Sequence, residues 1–188
     1  MNRILYILLV SLSFVTCRYD DVKNTYTISG KVGYPGNVFQ VSHFTVDLIL
    51  DDQIIASSTT GVFAFSGLEE GKSYIVRPQS DNSHDGLSTL DKVQLEKYLN
   101  GELSLDPFQK LAADVNRDNS IDQTDIDLIV NCILGNNQCF SWRFASENYD
   151  GNGTGYADPY SIPNLNSDQE VTFNPIKLGD VNGTVKPH

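Results

Sequence analysis

The chain has 188 residues, of which 24 are acidic and 13 are basic, giving a formal net charge of −11. A nucleic-acid-binding surface needs clustered Lys and Arg to neutralise phosphates, so this composition argues against nucleic-acid binding. Hydrophobic residues make up 40% of the chain and aromatic residues 10%, which is enough apolar material for packed cores in one or two domains.

The N-terminus has the features of an export signal. Arg3 precedes an apolar run that is shorter than the roughly 20 residues a membrane-spanning helix needs. The run ends in FVTC (residues 14–17), which resembles a bacterial lipobox, where the cysteine is acylated and becomes the mature N-terminus. We expect residues 1–17 to be a lipoprotein-type signal peptide and the mature protein to be anchored in the cell envelope, at the outer membrane or cell surface, through Cys17. Ordinary cleavage and secretion is the alternative.

Residues 26–78 carry a strand-like pattern, after a linker at 18–25. Apolar and polar residues alternate in several short runs separated by polar turns, which predicts a small β-sandwich. The runs ISGKV (28–32), GVFAFSGL (61–68) and GKSY (71–74) resemble the carboxypeptidase-regulatory-like and Cna-B-like sandwiches of bacterial surface proteins. This resemblance implies an Ig-like or prealbumin-like fold.

A helical period replaces the strand pattern after residue 78. One apolar stripe spans 93–99 and ends before Gly101, a second follows Pro107, and a third spans 126–133 and ends before Gly135. The stretches 87–101 and 121–135 are related, with matched acidic and glycine positions. We therefore predict two similar helical units within residues 88–135.

The second unit is preceded by a candidate metal loop. Residues 114–125 fit a twelve-residue EF-hand-type loop with oxygen-bearing side chains at the ligand positions and an apolar residue at the eighth. Calcium takes six to eight hard oxygen ligands, so the loop predicts a Ca²⁺ site. Position 6 is Asn instead of Gly, and position 12 is Asp instead of Glu. The expected ligands, including one backbone carbonyl and one water-mediated contact, are Asp114, Asn116, Asp118, Ser120, Asp122 and Asp125.

The corresponding loop of the first unit is degenerate. Its candidate ligands are Asn82, Asp85, Gly86 and Asp91, and the alternative is a metal-free turn that holds the helix start. In the tail, Asp180 and Asn182 are spaced like the first half of a calcium loop without a second half. They form either a turn or a supplementary ligand pair that folds back on the repeats.

Four runs, GLSTLD (86–91), AADVN (112–116), SWRF (141–144) and KLGDVNG (177–183), resemble the dockerin type I-like module of Gram-negative surface proteins. The resemblance implies a module over residues 79–188, with Ca²⁺ as cofactor and a cohesin-like protein as partner. It places partner contacts at Thr89 and Leu90 in the first repeat, and at Gln123 and Thr124 in the second. Because the two pairs differ, symmetric binding in two orientations is not expected.

Together these patterns predict an α+β protein of two domains: a β-sandwich followed by a helical calcium-loop pair with an irregular C-terminal tail. Cys132 and Cys139 form a local disulfide or remain buried free thiols. Trp142, Phe144 and Phe173 are expected in a core and not on a sugar-binding surface.

Catalysis requires convergent groups, but the three histidines lie in different segments and no known catalytic run is present. We therefore predict a non-catalytic, calcium-binding surface lipoprotein that mediates protein docking or assembly, in polysaccharide-degrading or adhesive complexes. Two alternatives stay open: a carbohydrate-binding accessory protein that uses the sandwich, and a structural adhesin subunit rigidified by calcium.

Overall fold

The computed structural model describes residues 23–33, 44–80, 86–136, 139, 141–152, 155 and 158–185. The signal segment with Cys17, and the candidate ligands Asn82 and Asp85, lie outside these residues. In the portion described, no helix has the length and apolar character needed to span a membrane.

Within the described residues, five strands precede three helices, and three further strands follow them. The first five strands are β1 (Thr25–Val32), β2 (Phe44–Leu50), β3 (Gln53–Ser58), β4 (Val62–Glu69) and β5 (Tyr74–Ser80). The helices are α1 (Thr89–Leu99), α2 (Pro107–Ala113) and α3 (Gln123–Ile133). The last strands are β6 (Trp142–Ala145), β7 (Tyr160–Ile162) and β8 (Gln169–Lys177). The predicted N-terminal strands and the three predicted helices are confirmed.

The strands form two four-stranded sheets, ordered β4-β1-β8-β6 and β3-β2-β5-β7. Strands β1 and β8 pair in parallel, with Gly30 opposite Val171, and the other pairs are antiparallel. Each sheet therefore contains at least one strand from the C-terminal part of the chain. The helices form an insertion between β5 in one sheet and β6 in the other.

This topology corrects the predicted domain organisation. The α+β class with a sandwich part and a helical part is confirmed, but residues 26–78 do not make up the whole sandwich and the tail within 79–188 is not irregular. Strands β6 and β7 have four and three residues, too few for a period of two to be recognised. Strand β8 contains Pro175, a residue that normally argues against a central strand. It is tolerated because the pairing with β1 ends at Phe173.

Aromatic side chains fill the space between the sheets. The Phe44 ring meets the rings of Trp142 and Phe144 edge-on, at centroid distances of 5.5 and 5.3 Å. Such pairs contribute about 0.5–1.5 kcal/mol beyond the area they bury. Trp142, Phe144 and Phe173 are all buried, as predicted.

The helices have their own core, which includes residues that follow β8. Leu95 of α1 packs with Ile126 and Ile129 of α3, and Leu178 and Val181 from the C-terminal segment join the same cluster. A smaller cluster links α2 to strands β6 and β8, and its members are Leu111, Ala112, Ala145 and Ile176. The backbone N–H of Gly179 also donates to the carbonyl of Ala112, at 2.8 Å. The C-terminal segment is thus built into the helical part.

Cys132, at the end of α3, is joined to Cys139 by a disulfide, with 5.1 Å between the Cα atoms. The bond ties the end of α3 to the segment that leads into β6. Both half-cystines are buried.

Candidate metal centre

The loop of residues 114–125 connects α2 to α3 and curls around the carboxylate of Asp114. Asp114 Oδ1 accepts from the backbone N–H of Asp118 at 3.1 Å, and Oδ2 accepts from that of Asn119 at 3.2 Å. Asn116 Oδ1 accepts from the same Asp118 N–H, and Asp118 Oδ1 accepts from the N–H of Ser120. The side-chain oxygens at the first, third and fifth loop positions are therefore held by the loop's own backbone.

The loop needs two residues in the left-handed backbone region. Arg117 has φ of 61° and Asn119 has φ of 66°. Asn119 occupies the position that is usually Gly in an EF-hand loop, and Asn is one of the few residues that adopt this conformation readily. The replacement of Gly by Asn therefore keeps the sharp turn.

Asp125 closes the loop from the first turn of α3 and is fully buried. Its Oδ1 accepts from the N–H of Val115 and its Oδ2 from the N–H of Asp122, both at 3.0 Å. Burial raises the pKa of the Asp125 carboxyl above its ordinary value, and the neighbouring Asp114 charge adds to that rise. Hydrogen bonds from backbone N–H groups act in the opposite direction. Asp125 is therefore an electrostatically costly group unless a cation offsets its charge.

The donor chemistry of the loop fits calcium. Within the described ranges, no three His, Cys, Asp or Glu residues are grouped so as to hold a metal ion by themselves. An EF-hand-type site, however, also uses amide and backbone carbonyl oxygens, here those of the Asn116 side chain and the Ser120 backbone. All of these donors are hard oxygens, and two of the carboxylates, Asp114 and Asp125, are buried. The residues present therefore suit a divalent cation that prefers oxygen.

Two arginines fix this loop to the sandwich. Arg117 of the loop donates from Nη2 to the carbonyl of Trp142 at 3.0 Å and to Ser141 Oγ at 3.1 Å. Arg143 of β6 places Nη1 3.8 Å from Asp114 Oδ2 and Nε 3.8 Å from Asp158 Oδ1. Sequence reasoning missed the role of Arg143, because nothing local marks a residue of a four-residue strand as a neighbour of the loop.

Around the first repeat, the structure brings together predicted residues from both ends of the module. Asp91 is fully buried, and its Oδ2 accepts from the N–H of Ser88 at 2.8 Å. Its Oδ1 accepts from the N–H of Asn182 at 3.0 Å. Asp180 is buried beside it and interacts with it electrostatically. Burial raises the pKa of Asp91, and the hydrogen bonds from Asn182 and Ser88 oppose that rise. The tail thus folds back on the repeats.

The predicted partner-binding residues lie at the starts of the two longer helices. Thr89 and Leu90 begin α1, Gln123 and Thr124 begin α3, and all four are exposed. Leu90 is 63% exposed and is the large apolar residue among the four. These positions are open to a partner.

Comparison with protein families shows that residues 82–134 match the Dockerin type I domain. The match takes in both helical repeats and the loop of residues 114–125, but less than a third of the chain. Comparison with curated proteins and with solved structures gives no match. In the described part of the chain, a segment similar to dockerin type I domains is therefore inserted into a β-sandwich. The sandwich strands and the C-terminal segment lie outside the matched residues.

Proposed function

We propose that this protein is a non-catalytic docking protein whose helical segment binds a protein partner when residues 114–125 hold Ca²⁺. The observation that carries the proposal is the loop itself, which has EF-hand-type ligand spacing and turn geometry inside the segment that matches the Dockerin type I domain. A cohesin-like protein is the partner class that this similarity implies.

The last residues of the loop also form the start of α3, so a change in the loop would alter the first turn of this helix. Asp122 is the N-cap of α3 and accepts from the N–H of Thr124 at 2.7 Å, while Asp125 binds the Asp122 N–H. Bound Ca²⁺ would supply positive charge between buried carboxylates. The residues of the loop then hold the first helical turn, with Gln123 and Thr124, in one orientation toward the partner.

The partner surface combines an apolar and a polar half. Leu90 and Thr89 form the first half, and Gln123 and Thr124 form the second. Because the two halves differ in chemistry, a partner rotated by 180° would meet a polar residue where it had contacted Leu90. We therefore propose a single binding orientation.

The proposed location is the cell envelope, with a lipid anchor at Cys17. The supporting observations are the apolar run before residues 14–17 and the Cys132–Cys139 disulfide, because disulfides persist in oxidising compartments. The expected setting is a polysaccharide-degrading or adhesive assembly. Palmitate labelling that is lost in the Cys17→Ser protein tests the anchor.

A pull-down from envelope extract tests the docking function. The protein is expected to retain a saturable partner in millimolar Ca²⁺ and to lose it in EDTA. Asp114→Ala should abolish retention, whereas Glu102→Ala, at an exposed acidic position just after α1 and outside the loop, should leave it intact. Retention that is equal in Ca²⁺ and EDTA would contradict the proposal.

A further inference from the structure

The C-terminal segment of residues 180–185 reproduces the first half of the loop of residues 114–125. Asp180 Oδ1 accepts from the N–H of Thr184 at 3.0 Å, and Oδ2 accepts from that of Val185 at 2.8 Å. Asp114 binds the N–H groups of the residues four and five positions later in the same way. Asn182 Oδ1 accepts from the Thr184 N–H, as Asn116 Oδ1 does from that of Asp118.

The start of α1 reproduces the second half. Ser88 caps α1 and Asp91 binds the Ser88 N–H, as Asp122 caps α3 and Asp125 binds the Asp122 N–H. The remaining Asp91 oxygen accepts an N–H from the 180–185 segment, as the remaining Asp125 oxygen does from its own loop. The two halves are therefore joined by a backbone-to-carboxylate bond like the one that closes the continuous loop, with its donor one loop position later.

We infer that residues 180–184 and 86–91 together form a second calcium site, a split EF-hand-type loop made from two distant parts of the chain. Asp180, Asn182 and Thr184 supply the first, third and fifth positions. Gly86 supplies the backbone carbonyl of the seventh position, and Asp91 supplies the closing carboxylate. The inference deepens the proposed calcium-dependent function and rests on it.

Close approach of the two halves is built into the backbone. Gly86 has φ of 85°, and a Cβ atom added there would lie 1.5 Å from Val185 Cγ2. Thr184 Oγ1 lies 3.5 Å from the Gly86 carbonyl oxygen, so two oxygens assigned to neighbouring ligand positions already adjoin. Only a glycine allows residues 184–185 to lie against this turn.

Two further observations point to a ligand. Among the described residues, the buried Asn182 Nδ2 atom has no hydrogen-bond partner, so only the oxygen of this amide is satisfied there. Asn182 Oδ1 has a second lone pair besides the one that accepts from the Thr184 N–H, and this second lone pair can bind a cation. Independently, residues 86–91 fall inside the match to the Dockerin type I domain, although the sequence before them lacks most of the ligands of a continuous loop.

A cation at this site would connect the two parts of the protein. Residues 180–185 follow β8, which pairs with β1 in the sandwich, whereas Asp91 belongs to the first turn of α1. Both Asp91 and Asp180 are buried, so their charges are poorly screened by water. Calcium bound between them would fasten α1 to the end of β8.

Calorimetric titration of the purified protein with CaCl₂ tests the split site. The unmodified protein is expected to bind two ions, Asp180→Asn one ion, Asp114→Asn one ion, and the control Asp127→Asn two. If the unmodified protein binds one ion that only Asp114→Asn removes, the split site is wrong and the proposed function stands. If it binds none, both fail.

Loss of binding in a variant could also result from unfolding, so a second test uses a variant that is expected to bind Ca²⁺ more tightly. Asn182→Asp places a third carboxylate beside Asp91 and Asp180. In a calcium site this should raise Ca²⁺ affinity several-fold and increase the melting temperature in Ca²⁺, because ligand charge tunes affinity. In a metal-free turn the same change adds repulsion, so a lower melting temperature in Ca²⁺ than that of the unmodified protein would overturn the inference.

Discussion

The backbone N–H of Asn182 donates to Oδ1 of Asp91, 3.0 Å away and 91 positions earlier in the chain. In the second repeat, Asp125 Oδ1 accepts in a similar way from the N–H of Val115, one loop position earlier, over only 10 positions and at the same distance. The two closing carboxylates therefore have equivalent surroundings, although one loop is continuous and the other is assembled from distant segments. The first repeat looks degenerate in the sequence because the first half of its loop is encoded at residues 180–184, far from α1.

Calcium should stabilise the folded protein measurably. A ligand that binds only the folded state contributes about 2.7 kcal/mol per site at a hundredfold excess over Kd. For a protein of this size, each kcal/mol raises Tm by roughly 2–4 °C, so one site adds about 5–10 °C. Thermal unfolding followed by circular dichroism in millimolar Ca²⁺ and in EDTA measures the difference. Coincident curves would show that neither loop binds calcium.

The pH dependence of stability should differ between EDTA and Ca²⁺. Burial raises the pKa of Asp91 and of Asp125 in the folded state, so each favours folding when protonated. In EDTA, their contribution is complete below about pH 4, the ordinary pKa of Asp, and is lost as the pH rises through the raised folded pKa. Lowering the pH from 7 toward 5 should therefore increase Tm.

In Ca²⁺ the same protons compete with the ion for the same oxygens, so the Tm difference between Ca²⁺ and EDTA should shrink over this pH range. The double variant Asp91→Asn, Asp125→Asn serves as the comparison and should show a flatter dependence in EDTA. If Tm in EDTA changes with pH no more steeply in the unmodified protein than in the variant, the raised pKa values of Asp91 and Asp125 are contradicted.

Gly86→Ala should separate the two halves of the split loop. The new Cβ atom would clash with Val185, and an L-residue at positive φ costs about 1–2 kcal/mol. Gly101→Ala is a matched control, because Gly101 has φ of 76° and nothing lies within 4 Å of its added Cβ. Urea unfolding should show a larger loss of stability for Gly86→Ala, by about 1–3 kcal/mol of overpacking. Equal losses would mean that residues 184–185 do not pack on Gly86.

Removing the Arg143 charge should strengthen calcium binding to the continuous loop. Arg143 Nη1 lies 3.8 Å from Asp114 Oδ2, where it partly neutralises a proposed ligand and repels an arriving cation. Arg143→Gln should raise Ca²⁺ affinity several-fold, since about 1.4 kcal/mol corresponds to tenfold. Arg77→Gln is the control, because Arg77 pairs with Asp47 on the sandwich. Calorimetric titration compares the two, and weaker binding by Arg143→Gln would show that the arginine supports the loop.

The parts of the structure that could be predicted from the sequence are those fixed by local pattern. The strands before residue 80, the helices and the 114–125 loop each have a period or spacing visible within a dozen residues. The burial of Trp142 also followed from residue type. The C-terminal strands could not be predicted, because β6 and β7 are too short to show alternation and β8 contains Pro175.

The candidate site likewise has residues that could be predicted from local sequence pattern and residues that could not. Asp180 and Asn182 could be recognised as half of a motif, but their pairing with Asp91 depends on a contact across 91 positions that no local pattern encodes. Arg143 was missed for a related reason, since its position beside Asp114 depends on how β6 pairs with β8.

The insertion of the helices between β5 and β6 has a mechanical consequence. The helical segment is attached to the sandwich at both ends, and each end continues into a strand of a different sheet. Tension applied to the helices by a tethered partner is therefore divided between two load paths. One of them, β5, is flanked on both sides by other strands, so it cannot be peeled from its sheet as an edge strand can. Such an arrangement suits a linkage that must resist pulling forces.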